Sequence, residues 1–221
     1  MLNIDHPHQW YGGRTYAQHG DDLAILNIFG CLRISTPSYL DVGAHHPIEL
    51  SNTALLYKRG CRGINVEANP DLIEAFQRYR PEDVNLWAGV TADDAVETMP
   101  FHRINATSGC NSFVREAIEG HGIADQIDVP VLTVSKIVKL YAGGVWPDLL
   151  TIDAEGLDLS ILSSIDYAQG GPKVICAEAR SPAGDNGPAL RQLMTDSGYF
   201  LHSWAGSNML FVRSELRDWL Y

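Results

Sequence analysis

The chain has 221 residues, 45% of them hydrophobic and 19% charged, with a formal net charge of −11, the balance of a single folded domain able to bury roughly 70% of its unfolded surface. That charge argues against a nucleic-acid partner held on a broad basic face, because such binding neutralises phosphates with Lys and Arg. No apolar run approaches the roughly 20 residues of a bilayer span, and the opening MLNIDHPHQWYGG has neither the basic nor the apolar region of a secretion signal, so a cytoplasmic protein with no membrane partner is expected.

In chain order, the patterning predicts a helix over 21–32, a strand over 38–41, a helix over 51–58, a strand over 62–66, a helix over 70–78 opened by Pro70, and a strand over 84–88. The alternation is then interrupted over about 92–147. Here HRINATSGCNSFV is weakly patterned, REAIEGHGIAD is helix-like, and VPVLTVSKIVKLY reads as an extended run followed by a short helix. Strands over 148–152 and 173–177, a helix over 188–196 and a hairpin of strands 199–204 and 208–212 complete the chain. Such alternation predicts a mostly parallel sheet with helices on both faces. One domain over 1–221 is expected, with an N-terminal helical arm over 1–36 and an insertion that covers the site and sets selectivity.

The chemistry gathers at strand ends. SYLDVGAHHP runs a strand into Asp41 and a glycine turn at Gly43 and Ala44, and RGINVEANP repeats the grammar with Glu67 and Ala68. Two neighbouring strands thus deliver a carboxylate to one edge, where nucleoside-bearing ligands sit in a doubly wound sheet. Glu67 suits both hydroxyls of a ribose, Gly43 lets backbone approach a ligand closely, and Asp41 suits an amine or cation. The G-x-G-x-x-G series that advertises a pyrophosphate site is absent, which favours S-adenosylmethionine over NAD.

In LLTIDAEG, Asp153 and Glu155 are two apart and in extended backbone point the same way. In such a pair either one carboxylate takes the proton of a substrate hydroxyl while the other fixes the nucleophile, or both hold a divalent metal such as magnesium; the rival reading makes Asp153 the cap of a helix beginning near Leu157. Glu178, after the strand VICA, either completes a metal site with Asp153 and Glu155 or pairs with Arg180 or His202. His45 and His46 are the candidate neutral bases, or else one bonds the loop and the other faces water. Ser51 and Asn52 read as the start of a helix, and Lys58, Arg59 and Arg62 as a cap on its end. Asn208 reads as structural. Trp10, Tyr11 and Tyr16 pack either over a sugar ring or into a core or interface. Cys31, Cys61, Cys110 and Cys176 form no C-x-x-C pair and read as reduced and mostly buried.

SYLDVGAHHP, SNTALLYKRGCRGINVEANP, PDLLTIDAEGLDLSIL and KVICAEA, with YAQHGDDLAIL upstream, resemble successive motifs of the FkbM-type S-adenosylmethionine-dependent methyltransferases, over roughly residues 16–213. The resemblance implies a Rossmann-like class I methyltransferase sheet, mostly parallel with a C-terminal antiparallel hairpin. It implies S-adenosylmethionine as cofactor and methylation of a hydroxyl on a small molecule, sugar or other natural product. It also places Asn111 and Ser112 of GCNSF near the cofactor, beside Asp41, Gly43, Ala44, Glu67 and Ala68. An NAD-dependent oxidoreductase or epimerase and a non-catalytic scaffold of the same fold stay open as alternatives, as do the acceptor, the base and assembly into a homo-oligomer.

Overall fold

The runs without polar alternation form the middle of one sheet. In the computed structural model, which describes residues 15–181 and 184–220, the first half of the chain gives α1 (Asp21–Cys31), β1 (Tyr39–Val42), α2 (Ala54–Lys58), β2 (Gly63–Glu67), α3 (Pro70–Tyr79), β3 (Val84–Trp87) and β4 (Gly89–Val90). Next come β5 (Thr98–Arg103), α4 (Arg115–Ile118), β6 (Asp125–Leu132) and α5 (Val134–Tyr141). The remainder is β7 (Leu149–Ile152), α6 (Asp158–Ser163), β8 (Val174–Glu178), the ribbon β9 (Arg180–Ser181) and β10 (Gly184–Asp185), α7 (Gly187–Asp196), β11 (Tyr199–Ala205) and β12 (Asn208–Arg213). Trp10 and Tyr11 lie outside the described residues.

The main sheet has the order β11-β12-β8-β7-β1-β2-β3. β3, β2, β1, β7 and β8 run parallel, while β12 is antiparallel to both β8 and β11, which is the expected terminal hairpin. Every residue of β1, β7 and β8 is buried, as strands covered on both faces require. Their side chains alternate between two cores. Leu150, Ile152 and Ile175 pack with Ile137, Ile161 and Leu190 on one face, and Leu149, Val174 and Cys176 with Ile25, Phe29 and Leu56 on the other. Each such aliphatic side chain stabilises the fold by about 1.5–3 kcal/mol relative to exposure. Local signals set the helix starts: Asn69 Oδ1 accepts from the Asp71 amide ahead of Pro70, and Thr133 Oγ1 accepts from the Lys136 amide.

The interrupting stretch is more ordered than its sequence patterning. β5 and β6 pair antiparallel, and β6 pairs parallel with β4, giving a small three-stranded sheet. HRINATSGCNSFV is a closed loop, since His102 and Ser112 exchange both backbone hydrogen bonds, at 2.9 and 3.1 Å. The helix-like segment REAIEGHGIAD shortens to α4 and a single 3-10 turn, as Gly120 and Gly122 interrupt it. Of the four cysteines, Cys61 and Cys176 are buried, Cys110 is half-buried and Cys31 is exposed, and all are free thiols. Tyr16 stacks with Lys58 rather than over a ligand site, and Arg62 caps α2 through the Tyr57 and Cys61 carbonyls. No helix among the described residues is long and apolar enough to cross a membrane.

Candidate active site

A cavity of about 460 Å³ opens at the carboxyl ends of β2, β1, β7 and β8, the edge at which a doubly wound sheet binds ligands. Asp41, Gly43, Ala44, His45, Glu67, Ala68, Asn111, Ser112, Asp153, Glu155 and Glu178 all line it; His46 does not.

On the β2 side, Glu67 accepts from the His45 amide at 2.7 Å and the Asn69 amide at 2.6 Å, one on each carboxylate oxygen. Each oxygen keeps a lone pair for a ligand hydroxyl. Burial pushes Glu67 up to about 7. Ala68, Phe101 and Phe113 form an apolar wall beside it, with the two rings 4.8 Å apart. Gly89 makes room for that wall, since a Cβ there would lie 2.2 Å from Phe113 Cζ. Nothing in the sequence pattern announced these two aromatics.

The glycine turn has a different purpose from the one expected. The amides of Gly43 and Ala44 both donate to the Val66 carbonyl, so they are spent within the fold. Gly43 has φ +71°, and a Cβ on it would lie 1.8 Å from the Asp153 carbonyl oxygen. The close approach that requires glycine here is between β1 and β7. Asp41 hydrogen-bonds Thr53 Oγ1 at 2.5 Å, and burial raises it above the ordinary carboxylate range although Arg80 opposes the shift.

DAEG is a turn rather than an extension of β7. Glu155 adopts φ +48°, a left-handed conformation that costs a non-glycine residue about 1–2 kcal/mol, so the two-residue spacing does not set its direction. Asp158 stabilises the turn by accepting from the Ala154 and Gly156 amides at 3.0 and 3.3 Å. Asp158, unremarked in the sequence, holds this turn from the first residue of α6, and neither it nor Asp153 caps that helix. Asp153 Oδ1 and Glu155 Oε2 are buried without a partner. Burial and the Asp158 charge raise Asp153 well above its ordinary range and push Glu155 up to about 7.

Glu178 Oε2 is also buried and unpartnered, and burial with the nearby Asp153 raises Glu178 strongly. The expected pairing with Arg180 or His202 does not form, since Arg180 pairs with Asp185 at 3.2 Å. Nor do Asp153, Glu155 and Glu178 assemble the expected metal site: among the described residues no group of three or more His, Cys, Asp and Glu side chains is disposed to hold an ion.

The two histidines divide. His45 lines the cavity, and burial lowers its imidazole below the ordinary range, keeping it neutral. His46 Nδ1 accepts from the Ile48 and Glu49 amides at 3.2 and 2.9 Å, which fixes the loop and removes it as a base. Asn111 and Ser112 face the cavity with their polar atoms engaged elsewhere. Asn111 bonds Ile104 and Asn105 backbone, and Ser112 Oγ donates to the Glu155 carbonyl at 3.0 Å, tying the inserted loop to the DAEG turn. Gln18 and His19, also unanticipated, reach the rim because Asp22 binds Thr15 and the Tyr16 amide and folds that segment back. The helix expected from Ser51 begins at Ala54 with Thr53 as its N-cap; Ser51 Oγ accepts from the Ala54 amide, Asn52 Nδ2 donates to Thr151 Oγ1, and Asn208 holds Asp21.

The raised carboxyls fix the sign of a pH dependence. Glu67 and Glu155, near 7 against 4.5, and Asp158, near 6 against 3.8, hold protons in the fold that the unfolded chain releases, so stability falls as pH rises from about 4 to 7. The lowered carboxyls Asp125, Asp148 and Asp185 act with the opposite sign below that window, and the lowered imidazoles of His45 and His202 oppose the fall within it. Glu67 alone accounts for on the order of 3 kcal/mol. The ligand-free melting temperature is expected to drop by roughly 5–10 °C between about pH 5 and pH 8, as scanning calorimetry would show; a flat or rising profile would contradict it.

The sequence model of the FkbM methyltransferase domain matches residues 41–201, which takes in every strand end described above. The chain belongs to the FkbM methyltransferase family. It is therefore an S-adenosylmethionine-dependent methyltransferase, and the oxidoreductase and scaffold alternatives lapse. Similar solved structures include a TehB-like methyltransferase from Corynebacterium glutamicum, 12% identical over 89% of this chain and 88% of that one with a TM-score of 0.47. A second is the 1,6-didemethyltoxoflavin-N1-methyltransferase of Burkholderia thailandensis, 12% identical over 88% and 77% with a TM-score of 0.44. At these values the likeness carries no functional argument. No curated protein matches the chain. The β3-β2-β1-β7-β8-β12-β11 order of this FkbM domain is the class I methyltransferase sheet the motifs implied.

Proposed function

We propose that this FkbM-family protein is a cytoplasmic O-methyltransferase acting on a hydroxyl of a small molecule, sugar or other natural product. The observation that carries the reading is the pair of buried, unpartnered carboxylate oxygens on Asp153 and Glu155, in the cavity that also holds Glu67 and neutral His45. Bound S-adenosylmethionine supplies a methyl group already activated on a sulfonium. Glu67 accepts from the ribose hydroxyls, Ala68, Phe101 and Phe113 take the adenine, and the sulfonium charge lies among Asp41 and Asp153. His45, held neutral by burial, has a free lone pair and takes the acceptor's proton. The inserted loop and the 15–20 segment shape the acceptor end.

Calorimetric titration with S-adenosylmethionine, S-adenosylhomocysteine and NAD tests the cofactor assignment. Micromolar binding of the first two is expected, and Glu67→Ala is expected to weaken it by about 10–100-fold through loss of charge-assisted hydrogen bonds. Release of S-adenosylhomocysteine in the presence of hydroxylated acceptors then reads the transfer. Binding of NAD alone, or methyl transfer confined to nitrogen or carbon, would overturn the reading.

A further inference from the structure

Glu178 lies well along the row of carboxyls from the ribose-binding Glu67, with Asp153 beside it. It ends β8, and the order β8-β7-β1-β2 separates it from Glu67 by three strand spacings, about 14 Å at about 4.8 Å each. A sulfur on the 5′ carbon of a ribose held at Glu67 is only a few bonds from that carboxylate, which leaves Glu178 beyond the sulfur. Its residue is 9% exposed, it lines the cavity, and Oε2 has no protein partner. Glu155 Oε2, on the neighbouring β7 turn, is in the same condition.

The charge around it is one-sided. Among the described residues lining the cavity, the carboxyls of Asp41, Glu67, Asp153, Glu155 and Glu178 face one guanidinium, that of Arg180. Arg180 is already engaged, with Nε on Asp185 at 3.2 Å and its guanidinium 5.0 Å from the Trp204 ring centre. His19 and His45 are the imidazoles at this edge, and Cys110 faces the acids from the inserted loop. A buried carboxylate without a counter-ion costs several kcal/mol. Ligand-free, Glu178 and Glu155 meet that cost by staying protonated, the direction in which burial pushes both. An anionic acceptor would be repelled here, and a neutral polyol would leave the acids uncharged.

Resting on the O-methyltransferase reading, we infer that the acceptor carries a protonated amine as well as the hydroxyl it presents, and that Glu178, assisted by Glu155, is the counter-ion for that amine. The acceptor class is thus an amino sugar or another hydroxylated primary or secondary amine.

The protein saturated with S-adenosylhomocysteine, with its glutamate carboxyls carbon-13 labelled, is titrated by NMR with D-glucosamine, D-glucose and N-acetyl-D-glucosamine. Glucosamine is expected to bind at least roughly tenfold more tightly than either neutral sugar, and to move the Glu178 and Glu155 resonances to their ionised positions. Glu178→Gln removes the discrimination and leaves the S-adenosylhomocysteine affinity unchanged. Equal affinity for the three sugars, or no response of Glu178 to glucosamine at tens of millimolar, overturns the inference. Failure of S-adenosylhomocysteine to bind at the outset overturns instead the reading on which it rests, and the inference with it.

Discussion

Alanine at position 43 is expected to destabilise the protein by on the order of 3–5 kcal/mol, since it combines a left-handed backbone with a collision in a packed sheet. Gly43 sits at φ +71°, and its missing Cβ would meet the Asp153 carbonyl oxygen at 1.8 Å and the carbonyl carbon at 2.9 Å. Both are backbone atoms of the turn that follows β7, and that turn is anchored to β1 by the Asp153 amide on the Val42 carbonyl at 3.0 Å. Relief requires separating β1 from β7, which moves Asp153 and Glu155 away from Glu67. Stability and S-adenosylmethionine affinity therefore fall together. Gly60→Ala is the control: Gly60 also has positive φ, +91°, with nothing within 4 Å of an added Cβ, so it bears only the backbone cost of about 1 kcal/mol. Urea denaturation of the two variants separates the terms. If Gly43→Ala cost no more than Gly60→Ala, the close approach of β1 and β7 would not be what requires glycine.

The strands were legible because burial on both faces leaves a plain mark: YLDV, LLTI and VICAE contain almost nothing that water would keep. Asp41, Glu67, Asp153 and Glu178 were legible for the same reason, as acids stranded where such runs stop. The errors lie where backbone conformation, rather than composition, decides direction. The spacing of Asp153 and Glu155 suggested a shared face only if the strand continued, but the chain turns at Gly156, where Asp158 holds the Ala154 and Gly156 amides, and Glu155 sits at φ +48°. His45 and His46 are adjacent and chemically equal in sequence. They differ because His45 at φ +51° gives its amide to Glu67 while His46 is drawn into the loop by two amides. Phe101 and Phe113 meet only through the antiparallel closure of residues 102 and 112, a contact between two segments of weak pattern. Arg80, just past the end expected for the third helix, carried no expectation, and it is 1% exposed.

That arginine carries the second large effect. Arg80→Met is expected to destabilise the protein by about 3–5 kcal/mol, the usual consequence of removing one partner of a buried ion pair. Arg80 Nε donates to Asp83 Oδ2 at 2.9 Å, and Nη2 reaches Tyr39 Oη and Thr53 Oγ1 at 2.9 Å each. Asp83 in turn accepts from Tyr39 Oη, the Gly63 amide and Asn65 Nδ2, so the pair bolts the start of β2 to β1 and to the end of α3. Without the guanidinium, Asp83 keeps neutral donors only. Asp41 loses the cation that opposes its burial, and is pushed further toward protonation. Because Asp41 lines the cavity through Thr53 and this network, the variant should also lose S-adenosylmethionine affinity in the fraction that stays folded. A double-mutant cycle with Asp83→Asn isolates the pair: a coupling energy above about 1 kcal/mol is expected for groups in direct contact. Additive effects with no change in cofactor affinity would mean that Thr53 alone positions Asp41, and that the arginine stabilises the fold without reaching the site.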